Sequence, residues 1–200
     1  MNNVSNIIKI LFGVFAITSV IILTLFFIKN NSPDDNSNDD KNKSVKQLLK
    51  ESKKEKLNLT KEQIKELDKY GYVGKNKDKV MYIFADLRCG DCQEFEEKYG
   101  NKFKEEKDIS YQHIPTPVLG KDSEKLAKKQ IILNERSPQQ GNQFAENTLR
   151  GIEDYSTDNF KKKELKRYNQ LDPIETSQKL DMYSTPSLIY KEKDRYYKIN

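Results

Sequence analysis

Among its 200 residues the chain has two cysteines, one histidine and no tryptophan. A structural zinc site takes four ligands, and one cysteine pair with a single distant histidine does not supply them, so the sequence calls for no metal. There is no dense basic stripe interleaved with aromatics either. The net charge of +5 arises from 36 basic and 31 acidic residues mixed along the chain, which describes a solvated surface and gives no reason to expect nucleic acid as a partner.

Charge is also absent from residues 10–28, an apolar run that ends in Leu25-Phe26-Phe27-Ile28. At about 19 residues it is long enough to cross a hydrocarbon core as a helix. A cleaved signal peptide needs a small-x-small site after its apolar core, and none follows. A lipoprotein needs a cysteine just beyond the run, and the first is Cys89. An uncleaved signal anchor over residues 1–29 is therefore expected. Acidic Asp34, Asp35, Asp39 and Asp40 beyond the span favour an inside amino terminus, with the rest of the chain facing outward. Residues 30–43 hold almost nothing apolar and read as a disordered tether.

Residues 44–71 read as a helical spacer. Ser44 is a candidate cap ahead of Val45, Leu48 and Leu49. Thr60 and Gln63 form a capping-box pattern ahead of Ile64 and Leu67, with Gly71 as a stop. The main folded domain is expected over residues 72–200. Its first confident strand is Val80-Met81-Tyr82-Ile83-Phe84-Ala85, whose unbroken apolar character suits a central strand covered on both faces.

Directly behind that strand stand Cys89-Gly90-Asp91-Cys92 and a helical segment from Gln93 towards Phe103. The free N–H groups and dipole of a helix N-terminus stabilise a thiolate on the first cysteine, and a close second cysteine can resolve a mixed disulfide. A zinc half-site or a purely structural bond fits worse: the ligands are too few, and a bond closing so short a loop adds little stability. The spacing thus points to thiol–disulfide exchange, which requires no cofactor. A second strand at Ile109–Ile114 completes a parallel strand–helix–strand unit.

Residues 120–182 carry apolar positions at roughly helical spacing, with breaks at Ser137-Pro138, Gly151 and Asp172-Pro173. The stretches Ser187–Tyr190 and Arg195–Ile199 read as a terminal hairpin. Outside the pair the expectations are plain. Glu94, Glu96 and Glu97 are the wet face of a helix, and His113 lies at a strand end or on the surface. Arg88 and Asp86 either tune the thiolate or are solvated. Tyr190, Tyr196 and Tyr197 serve the sheet.

The pattern Phe84-x-Asp86-x-x-Cys89-x-x-Cys92 resembles the active-site region of DsbA-like thioredoxin-fold proteins. Tyr183-Ser184-Thr185-Pro186-Ser187 is similar to the segment where that superfamily carries a cis-proline. The resemblance implies an α/β thioredoxin-like fold with a helical insertion between the second strand and the cis-Pro strand, preceded by the single transmembrane helix. It implies Cys89 as attacking thiolate and Cys92 as resolving cysteine. Thr185 and Pro186 would sit beside the pair and open backbone groups to a substrate strand.

Three departures accompany it. The dipeptide between the cysteines is Gly90-Asp91; Asp91 and Glu94 oppose the Cys89 thiolate while Arg88 and the helix N-terminus favour it, so a comparatively reducing couple is expected. Ile83 occupies a position where many relatives place a buried acid, leaving that role unfilled or moved. The chain ends at Asn200, with no obvious room for the usual final helix.

The function expected is an anchored oxidoreductase acting on exported proteins with thiols or disulfides, served by a membrane redox partner. Two alternatives stay open: a dedicated reductant for one pathway, such as haem-protein maturation, and a non-catalytic interaction module of a membrane assembly.

Overall fold

The computed structural model describes residues 44–152 and 156–200; the expected anchor and tether lie outside them. Ser44 caps α1 (Val45–Glu51) by accepting the Gln47 N–H, and the short strand β1 (Lys54–Leu57) follows. The Thr60–Gln63 capping box opens α2 (Lys61–Asp68) with both reciprocal hydrogen bonds in place. Then come β2 (Lys79–Ala85), α3 (Gly90–Glu105) and β3 (Ser110–Pro115). Four helices follow, α4 (Lys121–Arg136), α5 (Pro138–Leu149), α6 (Lys162–Gln170) and α7 (Glu175–Lys179), before β4 (Ser187–Glu192) and β5 (Arg195–Ile199).

The five strands form one sheet in the order β1-β5-β4-β2-β3. Strands β2 and β3 are parallel, joined across α3, and every other pairing is antiparallel. β2 lies inside the sheet and alternates its side chains between two cores. Met81, Ile83 and Ala85 face α1, α3 and α5 with Leu49, Phe103 and Phe144. Val80, Tyr82 and Phe84 face the other layer with Leu67, Ile132 and Leu180. Covering on both sides is why this strand reads as an uninterrupted apolar run.

Two expectations change. Residues 44–71 are not purely helical: Lys54–Leu57 extends the sheet by pairing with β5. Its Lys-Glu-Lys composition conceals it, because an edge strand needs only main-chain partners and can keep its side chains in water. Residues 120–182 are also not helical throughout. Gly151 stops α5 at φ 68°, where its N–H and that of Ile152 close the helix end on Thr148 and Asn147, a conformation that disfavours a Cβ. Asp172 accepts the Ile174 N–H at 3.1 Å, which holds a turn, so α7 starts at Glu175 and not at Pro173. Phe160 and Leu171, both outside helices, still plug the second core. Among the described residues, no helix is long and apolar enough to cross a membrane.

Candidate redox site

The two cysteines fall where β2 hands over to α3. Ala85 ends the strand, Cys89 N–H donates to the Asp86 carbonyl at 3.0 Å, and Cys89 becomes the N-cap residue with extended backbone (φ −77°, ψ 126°). No side chain caps this helix end, so its first N–H groups stay available to a negative charge near the Cys89 sulfur. Cys89 is half-buried, whereas Cys92, one turn in, is 1% exposed and packs with Ile83, Ala85 and Leu87. The pair is present as two free thiols.

The far wall is the loop ahead of β4. The Thr185–Pro186 peptide bond is cis, and the Cys89 thiol meets the Thr185 carbonyl at 3.6 Å. Burial pushes the Cys92 thiol up to about 12; the hydroxyl of Thr185 partly offsets this, while neighbouring Cys89 adds to it. All four residues singled out in the sequence, Cys89, Cys92, Thr185 and Pro186, therefore meet in one place. A half-buried nucleophile candidate sits over a sealed, protonated partner.

Asp86 supports this arrangement from below. Its carboxylate is 1% exposed and accepts four hydrogen bonds: from Arg88 N–H and the Ser123 hydroxyl on Oδ1, and from Val118 and Leu119 N–H on Oδ2, all between 2.7 and 2.9 Å. It fastens the cysteine turn to the loop entering α4. Arg88 points outward to Asp122 at 3.5 Å. Gly90 has nothing within 4 Å of where a Cβ would lie, and Asp91 is exposed, so the dipeptide between the sulfurs faces open space. Among the described residues, no group of three or more His, Cys, Asp or Glu is placed to hold a metal ion.

Two groups lie elsewhere than their sequence context suggests. Glu96 is 1% exposed, not on the wet face of α3, and His113 is likewise 1% exposed, not at the surface. They meet at 3.4 Å between Oε2 and Nε2. Arg150 donates to Glu96 Oε1 from Nε at 3.1 Å and Nη2 at 2.7 Å. Gly100, one turn beyond Glu96, makes the room, because a Cβ there would collide with the carboxylate. The spacing Cys92, Glu96, Gly100, Phe103 is one helical stripe, and all four are buried; that stripe was the available signal. Ile83 itself is buried among apolar side chains and supplies no acid; the buried acids nearby are Asp86, Glu96 and Glu146.

The architecture is that of known thioredoxin-like structures. A periplasmic thioredoxin-like protein from Salmonella enterica serovar Typhimurium superposes with a TM-score of 0.50 at 16% identity, over 67% of this chain and 86% of that one. The thiol-disulfide exchange protein alpha-DsbA2 from Wolbachia pipientis follows at 0.49 and 17%, over 69% and 87% of the two chains. BdbD from Bacillus subtilis gives 0.48 at 18%, over 64% and 84%. At 16% identity the first of these, with its TM-score of 0.50, shows a shared thioredoxin-like fold alone; in this chain four helices lie between β3 and β4. No family model and no curated protein matches the sequence.

Proposed function

We propose that this chain is a membrane-anchored, extracytoplasmic thiol–disulfide oxidoreductase that exchanges disulfides with exported proteins through Cys89 and Cys92. The observation that carries the reading is the asymmetry of the pair. Cys89 is half-buried at an uncapped helix N-terminus beside the cis Thr185–Pro186 bond, and Cys92 is sealed beneath it.

In the reducing direction, the Cys89 thiolate attacks one sulfur of a substrate disulfide. The substrate S–S bond breaks, a mixed disulfide forms, and the departing substrate thiolate takes a proton from water. Cys92 then loses its proton and attacks the Cys89 sulfur, which breaks the mixed disulfide, releases the second substrate thiolate and leaves a Cys89–Cys92 disulfide. The substrate has gained two electrons and the pair has lost two. The reverse sequence oxidises a substrate dithiol. The thiol of Cys92 is raised by burial, so it must give up its proton for the resolving step.

A substrate strand can reach the main-chain groups around the cis bond, because proline has no N–H to occupy them. Apolar Val118, Leu119 and Tyr183 are exposed, the first two fixed to the cysteine turn through Asp86 and the third two residues before Thr185. They suit a partly unfolded protein. The apolar run at residues 10–28 supports the anchor, and the cysteine pair supports an oxidising compartment and a membrane redox partner.

The test is insulin reduction and refolding of a scrambled substrate, wild type against Cys89→Ser. Loss of both activities in the variant supports the reading, and equal behaviour overturns it in favour of an interaction module. Cys92→Ser should accumulate mixed disulfides with exported proteins.

A further inference from the structure

The thiol–disulfide reading makes no use of the buried cluster under α3. His113 is the only histidine in the chain. Its main-chain N–H meets Asn142 Oδ1 at 2.8 Å, and its ring Nδ1 meets the same oxygen at 2.8 Å. A main-chain N–H can only donate, so the Asn142 atom facing it is the oxygen, and Nδ1 must then carry a hydrogen as well. The other end of Asn142 agrees: its Nδ2 donates to Glu146 Oε1 at 2.8 Å.

With Nδ1 protonated, the ring's remaining nitrogen faces Glu96. Neither Nε2 nor Glu96 Oε2 has any other partner, and both are sealed from water. Were both atoms bare, two lone pairs would oppose each other at 3.4 Å in a dry interior, an arrangement that costs the full desolvation of both groups. One proton between them removes the conflict. Arg150 decides on which side it rests, because two guanidinium hydrogen bonds on Oε1 keep the carboxylate ionised.

We propose that Glu96 holds His113 as a buried imidazolium, so that Glu96, His113 and Arg150 together carry one positive charge beneath the helix that bears the cysteines, and that the Cys89 thiolate depends on that charge. Glu96 and Cys92 are both buried on the same stripe of α3, four residues apart, or about 6 Å along the axis. At that range, in a medium poorer in water than bulk, an unbalanced charge acts on the sulfurs.

The other groups around the ring are accounted for. Tyr111, from the same strand, and Lys104, from α3, both bind Glu146, at 2.8 and 2.6 Å. Asn101 on α3 accepts from Arg150 at 3.1 Å, and Ile83 on β2 is the apolar neighbour in register with His113. The charges of Lys104 and Glu146 cancel, and Glu96 balances one of its two cationic partners, His113 and Arg150, which leaves one positive charge in the cluster. Burial alone would lower His113, but Glu96, Asn142 and Glu146 outweigh it and hold the ring above its ordinary value. Burial would raise Glu96, and His113 and Arg150 outweigh it, holding the carboxyl below the usual range. Both directions favour the charged couple.

As positioning residues, Glu96 and His113 are open to a test independent of turnover. In the full-length protein labelled with ¹⁵N-histidine, a single imidazole is observed. A ring protonated at both nitrogens at pH 8 supports the proposal, and a singly protonated ring there overturns it. The second readout is the pH profile of Cys89 alkylation in variants. His113→Gln leaves the neutral Glu96–Arg150 pair, removes the net positive charge and should move the midpoint to higher pH, cutting the thiolate fraction at a fixed pH about threefold. The double variant Glu96→Gln/His113→Gln restores the single positive charge through Arg150 and should return towards wild type. A merely structural role predicts the opposite order, with the double variant shifted as far as the single or further, and that result sinks the proposal. Neither readout requires disulfide exchange. Failure of insulin reduction would therefore undo the proposed function and leave the imidazolium to be judged on its own.

Discussion

Two carboxylates flank the cysteine pair, ten positions apart and equally sealed from water, and they are handled in opposite ways. Asp86 sits in a loop and accepts four hydrogen bonds from uncharged donors, three of them main-chain N–H groups. Glu96 sits on a helix and meets two cationic side chains, with one oxygen left facing the histidine ring. The first arrangement uses a charge to hold backbone in place, as helix caps and anion nests do. The second uses charges against each other and fixes little backbone. In this domain the loop around the redox turn is kept in shape by Asp86, while the helical insertion is fastened to α3 by Glu96, through Arg150 at the end of α5 and through His113 on β3.

The contrast can be broken at either acid. Glu96→Ala should have the largest effect, because it leaves Arg150 and His113 facing an empty, dry pocket. A loss of about 3–5 kcal/mol in urea unfolding is expected, as when one member of a buried ion pair is removed. Asp86→Ala should cost about 2–3 kcal/mol, the desolvation left behind when buried donors lose a charged acceptor. Its signature is local: faster hydrogen exchange at Val118 and Leu119, with α5 unchanged. If Asp86→Ala loosened α5 as much as the cysteine loop, the division of labour between the two acids would be wrong.

Acidity sharpens the comparison further. His113 is raised in the folded protein, so its contribution is complete below the ordinary histidine value and fades as pH climbs through the folded one. Glu96 is lowered, so its contribution is complete above the ordinary glutamate value and is lost as pH falls through the folded one. The stability difference between wild type and Glu96→Gln should therefore be greatest between about pH 4.3 and 6.5. It should shrink on the alkaline side as the ring loses its proton. Chemical unfolding of both proteins across pH 4 to 9 measures this, and a gap that keeps widening above pH 7 contradicts it. The smallest effect belongs to Gly90, which has open space ahead of it. Gly90→Ala should change stability by no more than about 0.5 kcal/mol, read from the same urea curves.

Much of this was legible in the chain. The apolar run of β2, the reciprocal cap at Thr60 and Gln63, and the hairpin of β4 and β5 all follow from local chemistry, and the structure has each of them. The cysteine turn and the Thr185–Pro186 segment were recognised separately, and folding brings them within a hydrogen-bond distance across 96 positions. What stayed hidden depended on distant partners. Glu96 looks solvated because three acidic residues crowd one helix turn, and only Arg150 and His113, from other elements, make its burial tolerable. His113 looks peripheral because its anchoring amide, Asn142, comes from the insertion. β1 was hidden for a related reason, since Lys54-Glu55-Lys56 carries no apolar pattern and is a strand only because β5 offers it main-chain partners.

That strand bears on where the domain begins. With β1 in place, β5 is an interior strand, and the sheet margin is a short run of exposed lysine and glutamate. Charged margins of this kind discourage strand-by-strand association between molecules. A chain trimmed to start at Tyr72, where composition alone would set the boundary, would uncover the hydrogen-bonding edge of Tyr196-Tyr197-Lys198-Ile199. Two tyrosines and an isoleucine would then border a free edge, inviting sticky self-assembly. Lys54–Leu57 thus covers the β5 edge with a charged margin.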